Sequence, residues 1–489
     1  MTTANGTELI VLANRAPLAV TRPDGRLSMK RSASGLVTAL EPLVARYAGT
    51  WVAHGAASDG HGCVDHRDGL SVPPATPRYR LRYVRLPDDE HRGYYYGFAN
   101  EGLWPLCHAV GVRPIFRSVD FRMYHRANAR FAAAVAEESQ DTSPLVLVQD
   151  YHFALAPRML RRRMPSSRIV AFWHIPWPPA HVFVRCPWAN ALLDGLLASD
   201  VIGLQTPDDC LHFLDAVESH LDAAVDPEEG EVTWCGHTTR VRAYPVGVDW
   251  SNPVVSATPP PAVCRERVLK DLRLPPTVRL GLGVDRLDYT KGINEKFLAV
   301  ERLLEREAAL RGRFVFVQVA EPSRDCLPAY RAARAEIVAT SERINARFGS
   351  AGCPPIVLLE SHHEPAEVYR LYRAADVCYV GSLHDGMNLV AKEFVCARSD
   401  RRGVLVLSRF AGAAQQLREA VIVDPRAIDR SAEALAAALA MPEREQSRRM
   451  RQLRANVAAF DSRWWAEQLL RDSGQGAGAV EHSEAGFAA

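Results

Sequence analysis

Short runs of consecutive apolar residues recur along this chain, separated by longer segments of helical periodicity. In the first half the runs are Leu9–Ala13, Leu145–Gln149, Ile169–Trp173 and Val201–Leu204. In the second they are Leu280–Val284, Phe314–Val319, Ile356–Leu359, Val377–Val380 and Val404–Leu407. A strand that is apolar at consecutive positions has to be covered on both faces. Strands that alternate with helices pair in parallel, because each crossover returns the chain to the same end of the sheet. Glu295–Leu310 shows the intervening pattern, with Phe297, Val300, Leu303 and Leu304 on one helical face. The alternation therefore predicts an α/β fold with parallel sheets. The run Tyr94-Tyr95-Tyr96-Gly97-Phe98 also reads as a buried strand.

A length of 489 residues admits two to four domains. Regular structure breaks most clearly at Asp249–Ala262, where Ser251-Asn252-Pro253 and Pro259-Pro260-Pro261 fall. Two α/β domains of similar size with a cleft between them follow. Net charge is +2, from 59 basic and 57 acidic residues, which argues against a general nucleic-acid or membrane-surface protein. No apolar stretch approaches the length of a membrane span. Ten cysteines, among them Cys63, Cys107 and Cys186, include no C-x-x-C pair, so reduced thiols in a cytoplasmic protein are expected. No signal peptide is evident.

Two segments carry chemistry. Val284-Asp285-Arg286-Leu287-Asp288-Tyr289-Thr290-Lys291-Gly292-Ile293 follows an apolar run and brings Arg286 and Lys291 close together. Asp385-Gly386-Met387-Asn388-Leu389-Val390 is read as a helix opening, with Asp385 at the start and Glu393 two turns on. A helix start offers free backbone N–H groups and partial positive charge, which suits a phosphate. Two cations on a neighbouring loop could neutralise the other side of a diphosphate. The pair points to a nucleotide diphosphate bound without a metal, and no cofactor is expected. The sequence has no literal Asp-x-Asp.

These segments resemble the donor-sugar site of the trehalose-6-phosphate synthases, retaining glycosyltransferases of family 20, and the resemblance runs from about Leu9 to about Leu470. It implies a GT-B fold: two Rossmann-like, doubly wound parallel-sheet domains facing a central cleft. Residues 1–250 would bind the acceptor and 251–455 the nucleotide-sugar. A helix in 456–472 would cross back to the first domain, and 473–489 would be a disordered tail. On the donor side the resemblance implies Gly35, Arg286, Lys291, Asp385 on the sugar hydroxyls, Gly386, the backbone of Met387, Asn388, Leu389 and Val390, and Glu393 on the ribose. His363 falls where some relatives place a Phe near the base, which leaves UDP-, GDP- and ADP-glucose open.

The same resemblance implies glucose 6-phosphate as acceptor. Arg15, in Asn14-Arg15, and Arg324 would hold the phosphate with Tyr95 and Trp104, and Trp51 would line the pocket. Asp150, in Gln149-Asp150-Tyr151-His152, would contact the acceptor sugar, and His174, in Trp173-His174-Ile175-Pro176, the donor sugar. The family's Gly-Gly loop reads Ser34-Gly35 here, so the loop conformation is the point of departure.

Transfer would retain the anomeric configuration, with the leaving phosphate taking the acceptor proton and Asp150 the nearest rival as base. The chain offers no obvious carboxylate pair for double displacement. Two other readings stand beside this one. One keeps the fold with another acceptor, as in glucosylglycerol-phosphate synthases and pseudo-glycosyltransferases. The other is a non-catalytic sugar-phosphate-binding regulator, against which Arg286, Lys291 and Glu393 all argue. Nucleic-acid and membrane partners are not expected, and a homo-oligomer, dimer or tetramer, is admitted.

Overall fold

The computed structural model of the chain describes residues 8–21, 28–31, 35–55, 64–73, 75–350 and 352–474. Ser34, Cys63 and the tail from 475 onward lie outside the described residues. Two parallel sheets face each other across a cleft, the GT-B plan expected from the sequence. The ten-stranded sheet runs, in spatial order, Ala224–Asp226, Glu231–Trp234, His237–Ala243, Val201–Leu204, Arg168–Phe172, Leu145–Gln149, Leu9–Ala13, Thr50–His54, Tyr79–Val84 and Gly69–Val72. Its centre is parallel, and only the two edges turn antiparallel. The six-stranded sheet is parallel throughout: Ile356–Leu359, Phe314–Glu321, Arg279–Arg286, Val377–Val380, Val404–Ser408 and Val421–Val423.

Coverage on both faces explains the continuous apolar runs. In Leu9–Ala13 all five residues are buried. Leu9, Val11 and Ala13 join one core and Ile10 and Leu12 the other, as the period-2 alternation of a strand requires. Phe314 and Phe316 likewise face one core while Val315, Val317 and Val319 face another. Strands at or next to the edges read differently. Tyr79–Val84 alternates: Tyr79, Leu81 and Tyr83 are buried, while Arg80 bonds the Glu138 carboxylate from the other face. No apolar-run criterion finds such a strand.

The segment Tyr94–Phe98 corrects the strand reading. It lies within a π-helical stretch, Arg92–Leu103, whose wide turn lets the Asn100 side chain donate to the Tyr95 carbonyl at 2.7 Å. Aromatic content suggested a strand, but Tyr94 and Phe98 pack instead on the helix Ser118–Glu138 through Tyr124 and Phe131.

The last described helix, Ser462–Asp472, packs on the first sheet. Asp461 caps it by accepting from the Trp464 N–H at 2.8 Å. Trp465 is fully buried, with its ring edge-on to Phe172 at 5.0 Å. Tyr244 donates to Asp472, and Arg168 to the Ser473 carbonyl at 3.1 Å.

Candidate functional site

The site is built where strand ends of both sheets meet. Arg286 closes the strand Arg279–Arg286, and a short turn, Tyr289–Lys291, follows. Asp288 Oδ1 accepts from the Thr290 N–H and hydroxyl, both at 3.0 Å, which sets the turn. Gly292 ends it at φ 59°, and a Cβ there would stand 2.1 Å from the Gly381 carbonyl oxygen. Lys291 is thereby aimed at Asp385, whose Oδ2 accepts from Nζ at 2.6 Å.

Here the sequence reading needs correction. Asp385 does not open the helix. That helix is Leu389–Ala397, and its N-cap is Asn388, which accepts from the Ala391 N–H at 3.1 Å. Asp385 is committed elsewhere: it receives Lys291, Ser382 Oγ and Asn388 Nδ2, while its backbone bridges Phe410 and Gly412. Asp385 and Glu393 therefore do not share a helical face. The N–H groups of Leu389 and Val390 stand in the first turn, where no intrahelical acceptor exists. Gly386 lets the two domains meet, since a Cβ there would lie 2.3 Å from the His174 carbonyl oxygen. Gly35 meets Leu389 in the same way from the first domain, at 2.3 Å from Cδ1.

Glu393 accepts from the Tyr372 hydroxyl at 2.9 Å, and burial pushes its carboxyl up to about 7. Burial also opposes ionisation of Asp385, but Lys291 and Asn388 outweigh it and hold the carboxyl at about 2. His363 lies farther out, with Nδ1 on the carbonyl of Ser361 in its own loop at 2.9 Å.

On the facing wall, Arg324 has its guanidinium 4.3 Å above the Trp104 ring, and Arg286 reaches the same ring at 5.5 Å. Arg324 donates to the Tyr151 hydroxyl at 3.2 Å and to the Tyr330 hydroxyl. Its Nε and the indole N–H of Trp104 are buried without a partner among the described residues. Trp51, expected in this pocket, is instead fully buried in the core that holds Val11 and Ala13, separate from the core of Trp104. Tyr95 stacks on His152 at 5.6 Å. Burial alone would raise its phenol, yet Arg324, Arg286 and Arg15 bring it below the usual tyrosine value. Although Arg15 as a residue is exposed, desolvation of its guanidinium, followed by the like charge of Arg286, weakens its hold on a proton. Three guanidinium groups thus converge on one tyrosine.

Asp150 and His174 join the two walls. Asp150 sits at φ 76°, a strained backbone for a non-glycine residue. Its Oδ1 accepts from the N–H groups of Tyr151, at 3.0 Å, and His174, at 3.2 Å. Burial pushes its carboxyl up to about 6. His174 is held near 3 by burial and is neutral. Its Nε2 meets Gln149 Oε1 at 2.9 Å and its Nδ1 meets Gln205 Nε2 at 3.5 Å. That arrangement fits a proton on Nε2. Its ring thus braces the loop, and its carbonyl faces Gly386.

The structure brings together Arg15, Tyr95, Trp104, Asp150, Arg286 and Arg324 at one end, and Lys291, Asp385, Leu389 and Glu393 at the other. Sequence reasoning passed over Asp288, Tyr151, Tyr330, Tyr372, Gln149 and Gln205. Asp288 lay inside the quoted Arg286–Lys291 segment and Tyr151 beside Asp150, so proximity was the available signal; Tyr330 and Tyr372 gave none.

Comparison with known proteins agrees with this geometry. A trehalose-6-phosphate synthase of Mycobacterium sp. (strain JLS) is 38% identical over 471 residues, covering 95% of both chains. The Mycolicibacterium smegmatis protein of the same name is 38% identical over 483 residues, covering 96% of this chain and 93% of its own. Among solved structures, an alpha,alpha-trehalose-phosphate synthase (UDP-forming) from Burkholderia xenovorans, in complex with glucose-6-phosphate, superposes with a TM-score of 0.83. It is 33% identical and covers 96% of this chain and 100% of its own. An E. coli trehalose-6-phosphate protein bound with UDP-2-fluoro glucose gives 0.85 at 30% identity, over 96% of this chain and 100% of its own. The model of glycosyltransferase family 20 matches residues 7–475, so a cation-lined cleft between two parallel-sheet domains and the length of the chain agree: it belongs to glycosyltransferase family 20.

Proposed function

We propose that the chain transfers glucose from a nucleoside-diphosphate glucose to glucose 6-phosphate with retention, giving α,α-trehalose 6-phosphate and the nucleoside diphosphate. The observation that carries this reading is the cation cluster over Trp104, with Arg324 at 4.3 Å and Arg286 at 5.5 Å from its ring, beside Tyr95, a half-buried phenol that Arg324, Arg286 and Arg15 hold below its ordinary value. A positive potential strong enough to overcome burial suits a phosphate dianion. The unpartnered Arg324 Nε and Trp104 indole N–H supply further donors.

At the other end, Lys291 and the Leu389–Val390 N–H groups take the diphosphate, and Arg286 stands between the two phosphates. Negative charge grows on the leaving diphosphate in the transition state, and fixed cations there lower the barrier. Lys291 would exchange Asp385 for a phosphate oxygen, freeing the Asp385 carboxylate for sugar hydroxyls. Glu393 and Tyr372 take the ribose. Asp150, held by two backbone N–H groups, accepts from an acceptor-sugar hydroxyl. With no obvious carboxylate pair for double displacement in the sequence, the reading places attack on the face that the diphosphate leaves, with a phosphate oxygen receiving the proton. Relatives described as UDP-forming favour UDP-glucose as the donor.

The test is incubation with glucose 6-phosphate and a panel of UDP-, GDP- and ADP-glucose, with the product identified by mass and enzymatic digestion. Trehalose 6-phosphate is the expected product, fastest from UDP-glucose. Transfer to glycerol 3-phosphate in preference would move the acceptor.

A further inference from the structure

Asp288 is buried, at 1% exposure, and sits between the two ends of the cleft. A carboxylate so placed is costly unless its oxygens are all engaged. They are engaged on two different sides. Oδ1 takes the Thr290 N–H and hydroxyl, both at 3.0 Å, and so sets the turn that presents Lys291. Oδ2 faces Arg324 Nη1 at 3.4 Å and the Tyr330 hydroxyl at 3.3 Å.

Arg324 needs that support. Its backbone is at φ 52°, a conformation that costs a non-glycine residue. Beyond Asp288 and Tyr330 it reaches the first domain through the Tyr151 hydroxyl and the Trp104 ring. Tyr151 in turn donates to Asn100 Oδ1 at 2.8 Å, and the Asn100 amide bonds the Tyr95 carbonyl. One carboxylate therefore touches both the loop that carries the donor-side lysine and the guanidinium that anchors the acceptor side.

We propose that Asp288 is the positioning residue that couples the two substrate sites, so that a nucleoside diphosphate and a sugar phosphate each tighten the other's binding. The proposal rests on the functional reading above. A ligand at Lys291 fixes the Tyr289–Lys291 turn and with it the carboxylate. The carboxylate then holds Arg324 in place before the acceptor phosphate arrives. Linkage makes the effect reciprocal: each ligand raises the other's affinity by the same factor. The low proton affinity of Asp288, which burial opposes and Arg324, Arg286 and Lys291 maintain, keeps the group ionised in this role.

Asp288→Asn separates the two functions of the side chain. The amide oxygen still accepts from Thr290, whereas an N–H donor replaces Oδ2 and faces a guanidinium that can only donate. Calorimetry would measure UDP binding with and without saturating glucose 6-phosphate, and the converse. In the unaltered protein each ligand is expected to tighten the other about 5- to 50-fold. In Asp288→Asn that ratio falls to about 1, while UDP alone binds within about threefold of the unaltered protein. Tyr330→Phe, which leaves the Thr290 turn untouched, lowers the ratio part of the way. In steady state, Asp288→Asn raises KM for glucose 6-phosphate more than it lowers kcat. A purely structural role would lower kcat with the folded fraction, which thermal melting reports. An unchanged ratio in a folded Asp288→Asn protein overturns the proposal. A ratio of 1 in the unaltered protein overturns it too and leaves the functional reading intact. Failure of the unaltered protein to bind either ligand overturns both.

Discussion

The two ends of the cleft treat negative charge in opposite ways. At the Tyr95 end, cations overcome burial and bring a phenol below its usual value. At the Glu393 end, burial prevails and a carboxyl rises to about 7. The difference follows from what surrounds each group. Tyr95 has three arginines, from both domains, while Glu393 has the Tyr372 hydroxyl. Between these extremes lies Lys291, already paired with Asp385. Positive charge is thus concentrated where phosphates would bind and withheld where hydroxyls would bind.

The largest effect is expected at Lys291, the point where the two regimes meet. Lys291→Ala should lower turnover on the order of 10²- to 10³-fold, measured in single-turnover assays, with a much smaller change in melting temperature. Equal activity in a folded variant would remove Lys291 from the mechanism.

Arg15→Ala tests the cation-rich end. Losing one charge-assisted contact should weaken glucose 6-phosphate by roughly 10- to 100-fold in kcat/KM while scarcely changing the weak reaction with glucose. If both acceptors weaken alike, the cluster is not a phosphate site.

Glu393 tests the other end through pH. Its carboxyl is raised from 4.5 to about 7, so the empty protein carries that proton up to about pH 7. Ribose hydroxyls need the ionised form as acceptor. UDP binding should therefore release a proton near neutrality and weaken as the pH falls below 7, read by calorimetry in buffers of different ionisation enthalpy. The stability of the empty protein runs the other way: this group's contribution is full below 4.5 and is lost as the pH rises towards 7. Glu393→Gln should remove both slopes and cost about tenfold in UDP affinity. A pH-independent affinity would place the nucleotide elsewhere.

What the sequence disclosed follows the same division between buried and edge positions. Leu9–Ala13 and Val377–Val380 were legible because both faces of each strand are covered, which leaves no polar residue to interrupt the run. Tyr79–Val84 and the meander Ala224–Ala243 were missed because strands at or next to the sheet edges, with one polar face, show alternation instead. In the site, Arg286, Lys291 and Glu393 were legible from two contiguous segments. The cap was misplaced because Asp385 is a favourable capping residue whose carboxylate is drawn off by Lys291, 94 positions earlier. Long-range pairing of that kind leaves no mark on local sequence. The same holds for Tyr330 and Tyr372, which reach Arg324 and Glu393 from separate helices.

The most direct measurement is ¹³C NMR of the product formed from UDP-[1-¹³C]glucose and glucose 6-phosphate. The account predicts a single labelled disaccharide phosphate whose labelled carbon keeps the α configuration and is bonded through oxygen to the α-anomeric carbon of the acceptor. A β-configured product, or labelled free glucose with no disaccharide, would contradict it.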